Sequence, residues 1–195
     1  MNIGIVTSFA IGGILMISIL AFNGRVLSQS AENTVSVSTQ IKLNEIIELV
    51  NNDFNRIGFG TGTSDPFVKI EADDIIFEAD AFDGDSYGVT NIRWEFDKAA
   101  QVTTTKNPND FYLKRTGPIT GSTYGETRFP VAHFSVVYKT ANDAVTTNTA
   151  TVKKISVEII IESPEPYSKS SDGTDLYQRT VWKRTFVPNN INLPY

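Results

Sequence analysis

The sequence predicts an α+β fold: a long N-terminal helix, membrane-apolar in one half and amphipathic in the other, packed on an antiparallel β-sheet. Three observations carry this prediction. All 17 Lys and Arg and all 22 Asp and Glu of the 195 residues fall after residue 22, so the chain has one uncharged end. Apolar residues then recur at spacings of three and four as far as Ile57. Beyond Pro66 the period shifts to the alternation of strands.

The uncharged end is Ile3 to Phe22, IGIVTSFAIGGILMISILAF, a run of 20 residues without proline. As a helix rising ~1.5 Å per residue it covers about 30 Å, the thickness of a bilayer's hydrocarbon core. A secretory signal peptide is the rival reading. That would want a basic leader, a shorter apolar stretch and a small-x-small cleavage site. Met1-Asn2 is the only leader here and no such site follows, so a retained membrane segment is expected. Gly12-Gly13 inside the run either permits close helix packing or marks a soft spot where the helix unwinds. Arg25 just after the run, with no base before it, places the body in the cytoplasm by the positive-inside rule, and a removed basic leader would reverse that.

The helix is expected to continue. Leu43, Ile46, Ile47, Val50, Phe54 and Ile57 line one face, while Lys42, Glu45, Glu48, Asn52, Asn55 and Arg56 fill the others. Upstream, Leu27, Ala31 and Val35 extend a thinner stripe through a Ser/Thr/Asn-rich stretch of weak helix propensity. A strong helix over 39–57 follows, continuing upward from the membrane span, with its apolar face resting on the chain's own body. Gly58-Phe59-Gly60-Thr61-Gly62-Thr63-Ser64-Asp65-Pro66 ends it. The expected organisation is a transmembrane helix at 1–24, an amphipathic neck at 25–58, a glycine-rich linker at 59–66 and a β-rich head at 67–195.

In the head, strands are expected at 67–70, 74–79, 92–96, 111–114, 134–138, 152–161 and 177–187. Turns are expected at Asp83-Gly84-Asp85, Lys106-Asn107-Pro108-Asn109, Thr116-Gly117-Pro118, Ser163-Pro164-Glu165-Pro166 and Ser171-Asp172-Gly173. Sequential strands joined this way favour an antiparallel meander, with the helix face as its cover.

Chemistry is sparse. A net charge of −5 and a pI near 4.9 argue against nucleic-acid partners. With Cys 0 and His 1 there is no thiolate chemistry and no multi-histidine metal centre. His133 at a strand edge has no Gly-x-Ser-x-Gly elbow to serve and reads as structural. Asp80, Asp83 and Asp85 are a weak Ca²⁺ candidate, lacking the loop spacing and terminal Glu such sites use; an ordinary hairpin turn fits better. Asp53 and Arg56 either pair locally at i and i+3 or have a buried role against the sheet. Gly117, Gly121 and Gly125 lie in a loop without a phosphate-binding sequel, and Lys153-Lys154 and Lys183-Arg184 read as solvated strand faces. No catalytic residue, cofactor or enzymatic activity is expected.

The helix end Asn51-Asn52-Asp53-Phe54-Asn55-Arg56-Ile57-Gly58-Phe59-Gly60 resembles the Asp-x-x-Arg-x-Gly-Phe/Tyr ending of the neck helix in the type IV pilin superfamily, closest to minor pilins and J-type pseudopilins. The order downstream is also similar: an Asp-rich turn at 80–88, Trp94, Leu113-Lys114-Arg115, Val136-Val137-Tyr138, Lys154-Ile155-Ser156-Val157 and Pro188-Asn189-Asn190-Ile191-Asn192-Leu193. Two features depart from the family, Ile5 where a glutamate is usual at the fifth mature position and the absence of a basic leader before Met1-Asn2. The departure at Ile5 fits a tip subunit or an unusual filament. The resemblance implies a pilin-like roll and a structural subunit of an extracellular or periplasmic filament. Ile3, Ile5, Phe9, Gly12, Gly13, Leu15, Met16 and Leu20 would pack its core, and Leu43, Ile46, Ile47, Val50, Phe54 and Ile57 would join helix to sheet. It further implies copies of the chain or related subunits as partners, an assembly machinery, single-pass residence in the inner membrane before assembly and a cell-surface filament after. The alternative is a monomeric, membrane-tethered β-rich binding or scaffold domain.

Overall fold

The computed structural model describes residues 3–80, 88–120 and 123–192. One uninterrupted helix, α1 (Ile3–Asn55), opens the chain. At ~1.5 Å per residue its 53 residues span about 80 Å. It stays regular through Gly12 and Gly13, so neither glycine unwinds it. From Ile3 to Thr34 every side chain is exposed; burial starts at Val35 and Ser36 and becomes complete at Thr39. The helix ends at Asn55, two residues before the expected limit, yet Ile57 in the following turn is fully buried.

Among the described residues ten strands follow: β1 (Phe67–Ile70), β2 (Asp74–Ala79), β3 (Thr90–Gln101), β4 (Phe111–Thr120), β5 (Thr123–Val131), β6 (His133–Lys139), β7 (Lys154–Glu162), β8 (Ser168–Lys169), β9 (Asp175–Leu176) and β10 (Arg179–Phe186). The first five form one antiparallel meander in sequence order. A second antiparallel sheet has the order β10-β7-β6, and β8 and β9 form a small separate hairpin. The expected single meander is therefore two sheets, because β10 returns past the β8–β9 hairpin to pair along the whole of β7, Phe186 opposite Ile155 and Arg179 opposite Glu162.

Two local expectations also change. Thr116-Gly117-Pro118 is no turn but lies inside β4, and Gly117 and Gly125 face each other across the β4–β5 pair rather than lying in a loop. Proline is tolerated here because the β3–β4 ladder ends at Arg93 opposite Thr116, so no neighbour on that side requires the N–H that Pro118 lacks. Gly121 lies outside the described residues. The glycine-rich stretch 59–66 is tied down by hydrogen bonds at both ends. The Gly58 amide donates to the Glu78 carbonyl at 3.0 Å, the Asp80 amide to the Phe59 carbonyl at 2.8 Å, and the Thr149 hydroxyl to Asp65 at 2.8 Å. Gly60 sits at φ +72°, and a Cβ there would stand 2.8 Å from the Cβ of Asp80, so only glycine fits this crossing.

One core joins the three layers. Ile75, Phe77, Ile92, Trp94 and Leu113 come from the first sheet, Phe134, Val136, Ile155, Val157 and Ile159 from the second, and Leu43, Ile46, Val50, Phe54 and Ile57 from the helix end. Ile47 is only partly buried, at the edge of this cluster. The outward face of the first sheet carries ion pairs between neighbouring strands, among them Lys69 and Arg93 on Asp74 and Lys114 on Asp97.

Candidate functional site

The feature that sets this molecule apart is a helix whose two halves live in different surroundings. Ile3, Ile5, Phe9, Leu15, Met16 and Leu20 are all more than half exposed, as is Phe22. The aromatic ring near the start of this half is Phe9; its neighbour Ser8, with a short hydroxyl side chain, adds no apolar area to the packing set. The helix is long and apolar enough to cross a membrane, with a mean hydropathy of 2.3 over its most apolar window and none of that window buried. A Cβ added to Gly12 or Gly13 meets nothing within 4 Å, so the chain itself gives neither glycine a packing reason. An exposed apolar face of this extent requires lipid or other protein to cover it.

The other half is seated by chemistry as well as by packing. Asp53 lies on the buried stripe, three residues from Val50 and seven from Ile46, and is only 1% exposed. Arg115 of β4 grips its carboxylate with both arms, Nε to Oδ2 at 2.7 Å and Nη2 to Oδ1 at 2.8 Å. The Trp94 indole of β3 donates to Oδ2 at 2.8 Å, and the remaining Arg115 arm donates to the Pro118 carbonyl at 2.8 Å. Trp94 is itself stacked between Phe129 and Phe134, at 6.2 and 6.5 Å between ring centroids. Every partner of this carboxylate is thus held rigidly, the condition under which a buried ion pair is tolerated. The buried role read for Asp53 is realised: Arg115 and Trp94 hold its carboxylate across the sheet.

Phe54, the next residue, packs on Phe77 and Phe186 at 5.7 and 5.3 Å. Arg184 donates to the Asn51 side-chain oxygen at 2.8 Å while lying over the Phe186 ring, and Asn190 donates to the Ile57 carbonyl at 3.3 Å. Lys183 pairs with Glu158, Lys154 with Asp143, and the Lys153 ammonium caps the Ile191 carbonyl at 2.7 Å. Of these four bases, Lys153 and Arg184 therefore have structural duties that their reading as a solvated face missed.

The remaining candidates are dispersed. His133 opens β6 opposite Ile160 and meets Phe96 edge-on at 6.2 Å. Asp80 packs on the loop after the helix; Asp83 and Asp85 lie outside the described residues. Among the described residues, no group of three or more His, Cys, Asp or Glu side chains is placed to hold a metal ion.

Two carboxylates respond to pH in opposite senses. At Asp74 burial acts upward, but the hydrogen bonds and charges of Arg93 and Lys69 outweigh it and hold the carboxyl below its usual range. Its contribution to stability is complete above the ordinary carboxylate range and is lost as pH falls through the lowered value. Asp110 is pushed up, first by burial and then by Glu162, with Thr105 and Lys42 opposing. It is 2% exposed and its Oδ1 has no hydrogen-bond partner. Its favourable, protonated form is complete below the unfolded value and is lost as pH rises through the folded one. Asp110→Asn is therefore expected to stabilise the body by about 1 kcal/mol at pH 7. Thermal melts over a pH series check this: the gain should shrink toward pH 3, and an equal gain at every pH would mean that the charge is not its source.

No protein-family model, no curated protein and no solved structure matches the chain.

Proposed function

We propose that this protein is a structural subunit of a pilus-like filament. It is held in the inner membrane by residues 3–22 before assembly and displayed at the cell surface or in the periplasm afterwards. The observation that carries the reading is the division of α1: an exposed, uncharged apolar half on a rod whose other half is fixed to a β body by Asp53, Phe54 and the stripe around them. In a filament the apolar halves of neighbouring copies cover one another, so a helix leaving lipid never meets water. The mechanism is assembly, and no catalytic or nucleic-acid role is invoked. The resemblance of residues 51–60 to the neck ending of minor pilins supports the same reading.

Electron microscopy of material sheared from cells tests it directly. Fibres containing this chain are expected; a chain that stays wholly with the membrane fraction, its export machinery being present, is the tethered domain instead. Gly13→Leu adds a side chain where the isolated molecule has open space. It also raises helix propensity by up to ~1 kcal/mol. Insertion and folding are expected to survive it while fibres are strongly reduced, since small residues decide how closely helix backbones approach. Normal fibres from this variant would remove the packing role of Gly13.

A further inference from the structure

Residues 102–110 join β3 to β4 in a loop that closes on itself and is fastened to the end of β7. The Val102 amide donates to the Asp110 carbonyl at 2.9 Å, and the Lys106 amide to the Pro164 carbonyl at 3.0 Å. Glu162, the last residue of β7, accepts at Oε2 from the side-chain amides of Asn107 and Asn109, at 3.1 and 3.0 Å. Asn109 is the chain neighbour of Asp110, so this contact brings two carboxylates together, and the charge of Glu162 acts on Asp110. Inside the fastening two oxygens are left over. Asp110 is 2% exposed, and its Oδ1 is sealed from solvent without a hydrogen bond. The Oγ1 of Thr105, beside it, is likewise buried and unbonded.

Folded chains rarely bury a polar atom without a partner, and an ordered water or an ion is the usual answer. Here the leftover atoms are hard oxygens, one of them on a carboxylate with a second carboxylate at hand, a donor set that favours a cation. We infer that Asp110, Thr105 and Glu162 form a calcium site, with both carboxylates and the Thr105 hydroxyl as ligands and water in the remaining positions. Two acids fall below the number that an all-carboxylate centre uses, and hydroxyl and water oxygens complete such a set. An irregular cage of this kind suits calcium better than magnesium, which demands a near-ideal octahedron and keeps its water. The charge of Lys42, on α1, also reaches Asp110. Two carboxylates against one ammonium leave a single negative charge, which points to a weak site, with a Kd on the order of 0.1–1 mM. The ion would tie the 102–110 loop to β7 beside the part of α1 that enters the body. The site is complete within one chain, so it stands apart from the filament reading.

The test follows thermal melting of the full chain in a non-ionic detergent, read by tryptophan fluorescence. Relative to chelator, about 5 mM calcium chloride should raise the midpoint by about 3 °C or more, and the same concentration of magnesium chloride by much less. Asp110→Asn keeps the shape of the side chain and is expected to fold in chelator at least as stably as the native chain; its calcium shift should vanish. Glu162→Gln still offers an acceptor to Asn107 and Asn109 and should weaken calcium binding about tenfold or more. Asp172→Asn, at an exposed acid in the turn between β8 and β9, should leave the native shift intact. No shift in the native chain, an equal shift in Asp110→Asn or Glu162→Gln, or an equal shift with magnesium would each overturn the calcium site. The first of these would leave the two buried oxygens to water. None of these outcomes bears on whether the chain forms fibres.

Discussion

Asp53→Ala is expected to cost the body about 3–5 kcal/mol, the largest single loss anticipated for this chain. The substitution removes little volume, so packing is a minor part of it. What remains is the Arg115 guanidinium, 5% exposed, with two of its arms aimed at an empty position, and the Trp94 indole N–H without an acceptor. Against a typical total stability of 5–15 kcal/mol, a loss of this size brings a small domain close to unfolding. Urea melts of a chain shortened to start at Gln29, before the buried part of α1 begins, give the measurement. The paired change Asp53→Leu/Arg115→Met should recover most of the loss, since it leaves no charge behind. A loss below about 1 kcal/mol for Asp53→Ala would mean that water reaches Arg115 and that packing alone seats the helix.

The second large effect concerns the adjacent pair Ile46 and Ile47. Ile46 is 2% exposed, whereas Ile47 lies half-buried at the edge of the core. Ile46→Asp forces a carboxylate into the layer between helix and sheets and should cost several kcal/mol. Ile47→Asp can turn its carboxylate to water and should cost about 1 kcal/mol. The ratio reports the rotation of the helix about its axis, because successive residues differ by 100°. Equal losses would place the seat of the helix on a different face. The same urea melts distinguish the outcomes.

Much of this arrangement was legible in the residues, for reasons that can be named. The helix face reads clearly because Leu43, Ile46, Val50, Phe54 and Ile57 keep the helical period through a segment without glycine or proline. Asp53 also sits on that stripe, and Arg115 shares the inward parity of Leu113 in β4. An acid on a buried helix face and a base on a buried strand face were both visible, but nothing local said that they meet across 62 residues of chain. The i and i+3 spacing of Asp53 and Arg56 drew attention to the nearer base instead. β5 was missed because Thr123–Val131 contains Gly125 and Pro130 and lies at the sheet's edge, where apolar content is low. The split into two sheets was not legible either, since it depends on which edge the last strand chooses.

The seat of the helix is closed by β10 and the turn after it. Arg184 and Asn190 reach residues 133 positions earlier, and Phe186 covers Phe54. A polypeptide emerging N-terminus first has Leu43, Ile46, Val50 and Phe54 outside the ribosome long before β10 exists to cover them. Contacts of such long sequence separation form late, since loop closure must precede them. The first sheet, a meander of neighbours in sequence, is free to assemble beforehand, with Trp94 and Arg115 already side by side on its inner face. During that interval the apolar stripe continuing from the membrane segment stays open, and the whole helix is one adhesive rod. The synthesis of β10, more than any event near the N-terminus, sets the moment at which the lower half of that rod stops being sticky and only the upper half is left to seek company.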